Sequence, residues 1–144
     1  PDNHNKMMNK RYQKLQGVLK LPWIVKTYGL EKPEVAVIGW GSGEGVIREA
    51  VDSANKEGLK VGALHPKILW PFPSEIINKY LAQGVKRVIV PELNFSGQFA
   101  TLLKAHLTDG NRSIDGVSLA KGGGIPWTPS EIVNKIKEAS KIHV

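Results

Sequence analysis

The sequence predicts an α/β fold in three layers, with a mostly parallel sheet covered by helices on both faces. Two observations carry this. From Glu34 onward, continuous apolar runs of buried-strand type alternate with stretches whose apolar residues recur at helical spacing. The connections between them are short, as repeated strand-then-helix units require. Right-handed crossovers and the need to cover both faces force the strand order to reverse somewhere. Ligands and partners of open sheets gather at the carboxyl ends of the strands at that reversal.

Each element has its own signature. Residues 1–20 form a polar, lysine-rich lead with Met7, Met8, Tyr12, Leu15, Val18 and Leu19 at helical spacing, read as a helix that packs on a neighbour. "PWIVKTYG", 22–29, has a short apolar centre between Pro22 and Gly29 and reads as an edge strand. "EVAVIGW" (34–40) is a buried strand; "SGEGVIREAVDSANKEG" (42–58) follows as a helix with Val46, Ile47, Ala50, Val51 and Ala54 inward, stopping at Gly58. "LKVGALH" (59–65) is the next strand, and "PSEIINKYLAQG" (73–84) a helix presenting Ile76, Ile77, Tyr80 and Leu81. "KRVIVPEL" (86–93) is a strand, with Pro91 expected to end it early because proline cannot donate to the ladder. "SGQFATLLKAHL" (96–107) is a helix with Phe99, Leu102, Leu103 and Leu107 inward, and "SIDGVSLA" (113–120) a weaker strand. The last helix opens with a full capping box, Thr128 as N-cap, Pro129 at the first position and Glu131 three residues after the cap.

Composition narrows the function classes. A chain of 144 residues suits one domain that buries about two-thirds of its unfolded surface. It begins at Pro1, which reads as a processed chain or a piece excised from a longer one. No apolar run approaches the ~18 residues of a membrane span and no leading apolar run follows a basic stretch, so a cytoplasmic protein is expected. With no cysteine, the piece holds no disulfide, thiolate nucleophile or cysteine-ligated metal. The net charge of +7 invites a nucleic-acid reading. Against that reading, the lysines lie on polar helix faces without interleaved base-stacking aromatics, which favours a solvated or partner-facing surface.

The glycine-rich turn "VIGWGSGEGVIREA" (37–50) has the look of a phosphate loop, but its spacing fails the G-x-G-x-x-G frame from every starting glycine and contains no G-x-x-x-x-G-K-[ST]. Glu44 in the first helical turn would also repel a phosphate. The plain alternative is a tight turn with Ser42 as N-cap. His65 ends a strand at the carboxyl edge and is a weak catalytic candidate without a neighbouring acid in sequence; His4, His106 and His143 are too scattered for a metal site. "KGGGIPW" (121–127) is weighed as an anion nest against a flexible loop, and the loop reading is favoured.

Three stretches in register, "VIGWGSGEGVIREAV" (37–51), "LKVGALHPKILWPFPSEII" (59–77) and "RVIVPELNFSGQFATLL" (87–103), carry W-G-S-x-x-G, L-W-P-F-P and E-x-N-x-S-G-Q over residues 34–107. Together they resemble the C-terminal domain of the alpha subunit of 2-oxoacid:ferredoxin oxidoreductases. Trp70 stands where related pyruvate enzymes tend to carry arginine, which points to the 2-oxoglutarate branch. The lead "MMNKRYQKL" is similar to the linker after that subunit's thiamine-pyrimidine domain.

The resemblance implies a fold of the transketolase C-terminal type, a five-stranded mixed sheet in order 1-3-2-4-5 with its first strand antiparallel. It implies a division into a linker helix, 1–20, and the α/β domain, 21–144. The parent enzyme it implies decarboxylates a 2-oxoacid on thiamine diphosphate with Mg, passes electrons through [4Fe-4S] clusters to ferredoxin and yields an acyl-CoA. The piece itself is expected to hold no cofactor, metal or catalytic residue, since no Y-P-I-T-P or G-D-G stretch occurs in it. Its expected partners are the preceding alpha-subunit domain and the beta subunit, with ferredoxin serving the whole complex, and no membrane or nucleic acid.

The implied strand order sets the reversal between "EVAVIGW" and "KRVIVPEL" and brings "WGSGEG" beside "ELNFSGQ". Trp40, Ser42, Gly43, Glu92, Asn94, Ser96, Gly97 and Gln98 are therefore candidates for docking another domain or subunit, with Trp70 as a further candidate. The competing view is that Ser42 and Ser96 only cap helices and Asn94 closes a turn. In the docking reading, alanine at Glu92 or Gln98 leaves the domain's stability nearly unchanged. The turn Trp70-Pro71-Phe72-Pro73 is expected to pack internally, with a subunit contact as the alternative. Two other functions stay open at this level: the C-terminal domain of a transketolase or of an oxoacid dehydrogenase beta subunit, and a free-standing small-ligand or nucleic-acid binding module.

Overall fold

A computed structural model describes residues 2–107 and 118–141. Most of the weaker strand expected over 113–120, and His143, lie outside the described residues.

Helix α1 (Asp2–Gln16) leads through a short 3-10 turn (Gly17–Lys20) into β1 (Val25–Gly29). There follow β2 (Val35–Ile38), α2 (Glu44–Lys56), β3 (Val61–Pro66), α3 (Ser74–Leu81), β4 (Arg87–Glu92), α4 (Gln98–His106), β5 (Ser118–Ala120) and α5 (Pro129–Lys141). The five strands form one sheet in the order β1-β3-β2-β4-β5. β1 runs antiparallel to β3, with Val25 opposite Pro66, and the remaining pairs are parallel. The order and direction implied by the resemblance are those observed.

All four residues of β2 are buried, as a central strand covered on both sides requires. Val35, Val37, Val61, Ala63 and Ile89 face one way, against Ile47, Ala50, Val51 and Ala54 of α2 and Ile132, Val133, Ile136 and Ala139 of α5. Ala36, Ile38, Leu64, Val88 and Val90 face the other way, against Ile77, Tyr80 and Leu81 of α3 and Phe99, Ala100 and Leu103 of α4. Ile76, expected inward, is 37% exposed, because α3 is only two turns long and its buried stripe runs through Ile77 and Tyr80. Gly62 lies where backbone passes close by: a Cβ there would stand 2.8 Å from the Leu30 carbonyl and would meet the Tyr80 hydroxyl.

Pro91 does not end β4. The strand runs on to Glu92, with Pro91 opposite Leu119 and Glu92 opposite Ala120. Pairing with β2 stops earlier, at Ile89, so the proline falls where no ladder bond to β2 is needed.

Candidate functional site

The chain leaves β2 towards β3 on one side, while β4 lies on the other, so the order reverses between β2 and β4. At their carboxyl ends the loops part and leave a crevice of about 680 Å³. Trp40, Gly41, Ser42, Gly43, Val46 and Ile47 line one wall; Pro91, Glu92, Leu93, Asn94 and Gln98 line the other; Pro126 and Trp127 close the end. Of the docking candidates, the structure brings Trp40, Ser42, Gly43, Glu92, Asn94 and Gln98 together. Ser96 is exposed outside the crevice, and Trp70, 68% exposed, also lies outside it. The rest of the Trp70 turn packs inward, with Phe72 6% exposed and stacked on the His106 ring at 4.7 Å.

Glu92 is 3% exposed. Its carboxylate accepts the backbone N–H of Phe99 at 2.8 Å and of Ala100 at 3.2 Å, and the Asn94 side-chain amide at 2.5 Å. Asn94 Oδ1 in turn accepts the N–H of Gly97 at 2.7 Å and of Gln98 at 3.2 Å. The open donors at the start of α4 are therefore met by Glu92 and Asn94. This corrects two expectations. Ser96 does not cap α4, whose N-cap is Gly97 at φ 65, a left-handed conformation in which glycine carries no Cβ penalty. Nor does Ser42 cap α2: it sits in a 3-10 turn (Gly41–Gly43) with Gly43 at the N-cap position. Alanine at Glu92 therefore removes a buried brace, which overturns the expectation of nearly unchanged stability.

Trp40 is 43% exposed and leans on Phe99, with ring centroids 6.1 Å apart. Gln98 is exposed on the opposite wall. Trp127 donates its indole N–H to the Glu92 carbonyl at 3.3 Å, fixing the ring as the end wall. Lys121 lies over that ring at 4.9 Å from its centroid, and its ammonium bonds the Glu131 carboxylate at 2.8 and 3.0 Å. Lys121, with the Thr128 backbone and hydroxyl next, holds the Glu131 carboxyl down at about 2. The capping box forms as expected, with Thr128 N–H on Glu131 at 2.8 Å and Glu131 N–H on the Thr128 hydroxyl at 3.3 Å. The lysine of "KGGGIPW" is thus committed to a carboxylate.

His65 is 6% exposed behind the Trp40 wall. Its Nε2–H donates to the Gly41 carbonyl at 3.1 Å, and its Nδ1 is buried with no hydrogen-bond partner. Burial, then Lys67, pushes the imidazole below the ordinary histidine value, opposed by Glu44. Glu44 itself pairs with Lys67 and, at 3.4 Å, with Lys26. This histidine holds a turn; the acid near it was invisible in sequence because it arrives from α2.

Trp127 and Pro126 were not among the candidates. A signal existed: the loop after β5 also leaves a carboxyl edge, next to that of β4.

The chain has no cysteine, and among the described residues no three His, Asp or Glu side chains converge. No described helix is long and apolar enough to cross a membrane.

Strand order and crevice define the class, an α/β domain of the transketolase C-terminal type with its surface feature at the switch point. Residues 33–132 match the family described as pyruvate:ferredoxin oxidoreductase core domain II, and the chain belongs to that family. The 2-oxoglutarate oxidoreductase subunit KorA of Mycobacterium tuberculosis is 33% identical over 142 residues, 96% of this chain and 20% of the relative. A 2-oxoacid:ferredoxin oxidoreductase subunit alpha of Saccharolobus solfataricus is 32% identical over 140 residues, 94% of this chain and 21% of its own length. Among solved structures, the 2-oxoglutarate:ferredoxin oxidoreductase of Magnetococcus marinus, with 2-oxoglutarate, coenzyme A and succinyl-CoA bound, matches at 41% identity and TM-score 0.83, covering 96% of this chain and 23% of that one. The chain spans about a fifth of the length of these two curated relatives.

Proposed function

We propose that this chain is the assembly domain of the alpha subunit of a 2-oxoglutarate:ferredoxin oxidoreductase, a cytoplasmic enzyme that turns 2-oxoglutarate, coenzyme A and oxidised ferredoxin into acyl-CoA, CO2 and reduced ferredoxin. The observation that carries the reading is the 41% identity, over nearly the whole chain, to the Magnetococcus enzyme. Thiamine diphosphate, Mg and [4Fe-4S] clusters belong in this reading to other parts of the complex. Residues 1–20 link the domain to a preceding one. The crevice between Trp40 and Gln98 receives a neighbouring domain or the beta subunit. An aromatic-walled groove with an exposed amide suits that role, since interface cores favour tryptophan and need few polar groups. Trp70 offers a second exposed aromatic contact outside the crevice.

The test is to produce the full-length polypeptide carrying this chain with its beta subunit and to measure coenzyme A-dependent ferredoxin reduction. Turnover on 2-oxoglutarate well above that on pyruvate supports the reading. Turnover on pyruvate alone, or none on any 2-oxoacid, contradicts it.

A further inference from the structure

The turn after β2 is tied to the sheet by one buried histidine. Gly39 N–H bonds the Leu64 carbonyl at 3.1 Å, and beyond that point the chain leaves the sheet. Trp40 is extended, Gly41 takes the left-handed φ of 64, and the 3-10 turn Gly41–Gly43 enters α2 with no side-chain cap. Residues 40–43 make much of one crevice wall. Among the described residues, His65 is the one side chain that hydrogen-bonds to them, from Nε2 to the Gly41 carbonyl at 3.1 Å.

That bond fixes the tautomer. A carbonyl only accepts, so Nε2 carries the proton of the neutral ring and Nδ1 carries none. Nδ1 is buried without a partner and lies over bare backbone: a Cβ at Gly39 would stand 3.9 Å from it and would meet the Ile47 side chain. An unprotonated nitrogen tolerates such an enclosure better than an N–H that shares a positive charge. The groups around the ring do little to welcome that charge. Lys26 stands opposite His65 on β1, Lys67 follows two residues on, and Glu44, from the first turn of α2, already pairs with both lysines. Tyr28 and Arg48 line the same small cavity of about 170 Å³, but Arg48 lies over the Tyr28 ring at 4.5 Å and the Tyr28 hydroxyl is bonded to Asp52 at 2.8 Å. From β2 the neighbour is Gly39, which carries no side chain.

We propose that His65 is the latch of this crevice wall: its neutral ring holds the Trp40–Gly43 turn against the sheet through the Gly41 carbonyl, and a proton on Nδ1 lifts the turn so that water reaches the ring. Gly39, Gly41 and Gly43, at alternate positions, give the turn its hinge, and Trp40 leaves Phe99 as the turn opens. Burial, then Lys67, holds the folded value of the ring below the ordinary 6.5. The latch is therefore closed at neutral pH and opens as pH falls through the folded value. His65 acts through Gly41 and Trp40, as a positioning residue. That its opening loosens a docked subunit rests on the functional reading of the crevice.

The test uses the full-length polypeptide, alone and with its beta subunit, between about pH 7.5 and about pH 5. Hydrogen exchange of residues 40–45, corrected for the intrinsic pH dependence of exchange, reads the turn, and residues 35–38 of β2 read the fold. In the wild type the protection of the turn is expected to fall about fivefold while that of β2 stays within about twofold. His65→Gln, which keeps a donor for the Gly41 carbonyl and does not titrate, should hold the turn equally protected across the range. His65→Leu, with no donor, should leave the turn open at every pH while β2 stays protected. A wild-type turn indifferent to pH, or one that loses protection only in step with β2, would overturn the proposal. So would a His65→Gln variant as acid-sensitive as the wild type. Should either variant fail to fold, the wild-type comparison of turn with strand decides alone. Affinity between the subunits is measured over the same range: a turn that opens with no change in affinity refutes the docking reading and leaves the latch standing, whereas affinity that falls while the turn stays protected refutes the latch alone.

Discussion

The Glu92 carboxylate and the backbone N–H of Phe99 are joined at 2.8 Å, so the side chain that closes β4 also holds the first turn of α4, seven residues on. Phe99 is 2% exposed and supports Trp40, which makes Glu92 the hidden footing of both crevice walls. Glu92→Ala strands two buried donors and loses a cap, and it should cost about 2–4 kcal/mol in denaturant unfolding of the chain. A loss below about 0.5 kcal/mol, the range of an ordinary surface change, would show that the carboxylate braces nothing.

His65 gives the fold a pH dependence of definite sign. Its folded value is lowered by burial, so the neutral ring is the form the fold prefers. Its contribution is fully present above the ordinary value of 6.5 and is lost as pH falls below it. A proton on Nδ1 would add a buried donor with no acceptor in reach, beside Lys67 and Lys26 and offset by Glu44 and the bond to the Gly41 carbonyl. His65→Gln, which can keep a donor to the Gly41 carbonyl, should flatten the loss of stability between pH 7 and about 5. Equal acid sensitivity in wild type and variant would assign that loss to other groups.

Gly62 tests the close approach of β3 to the Leu30 carbonyl. Gly62→Ala places its methyl 2.8 Å from that backbone oxygen and 3.0 Å from Pro33, and backbone cannot rotate away as a side chain can. The cost should be about 1–3 kcal/mol, read as a lowered melting temperature. An unchanged midpoint would mean that the 29–33 segment yields freely.

Hydrophobic period made the helices and central strands legible, because Val35, Ile38, Ile47 and Ile132 are buried by the alternation the sequence already displays. The capping box at Thr128 was equally readable, since both of its partners lie three residues apart. What escaped was contact between distant residues. Serine before a helix suggests a cap, yet α4 is capped by a carboxylate on the preceding strand, and no local rule weighs a donor against an acceptor seven residues back. The role of Lys121 was likewise hidden, because Glu131, ten residues away, reaches it only once α5 has packed. Trp127 joins the crevice by the same non-local route, through the carbonyl of Glu92.

Gln98 bears most directly on the claim that the crevice is a docking site. It is exposed on the wall opposite Trp40, so Gln98→Ala should leave the chain's own stability within about 1 kcal/mol. The decisive quantity is the dissociation constant between the alpha and beta subunits of the full-length enzyme, measured for wild type and Gln98→Ala. A lost interface hydrogen bond predicts affinity weaker by about tenfold, with turnover falling as the subunits part. Unchanged affinity and turnover, together with a lowered melting temperature of the chain itself, would contradict the account and leave the crevice a local brace.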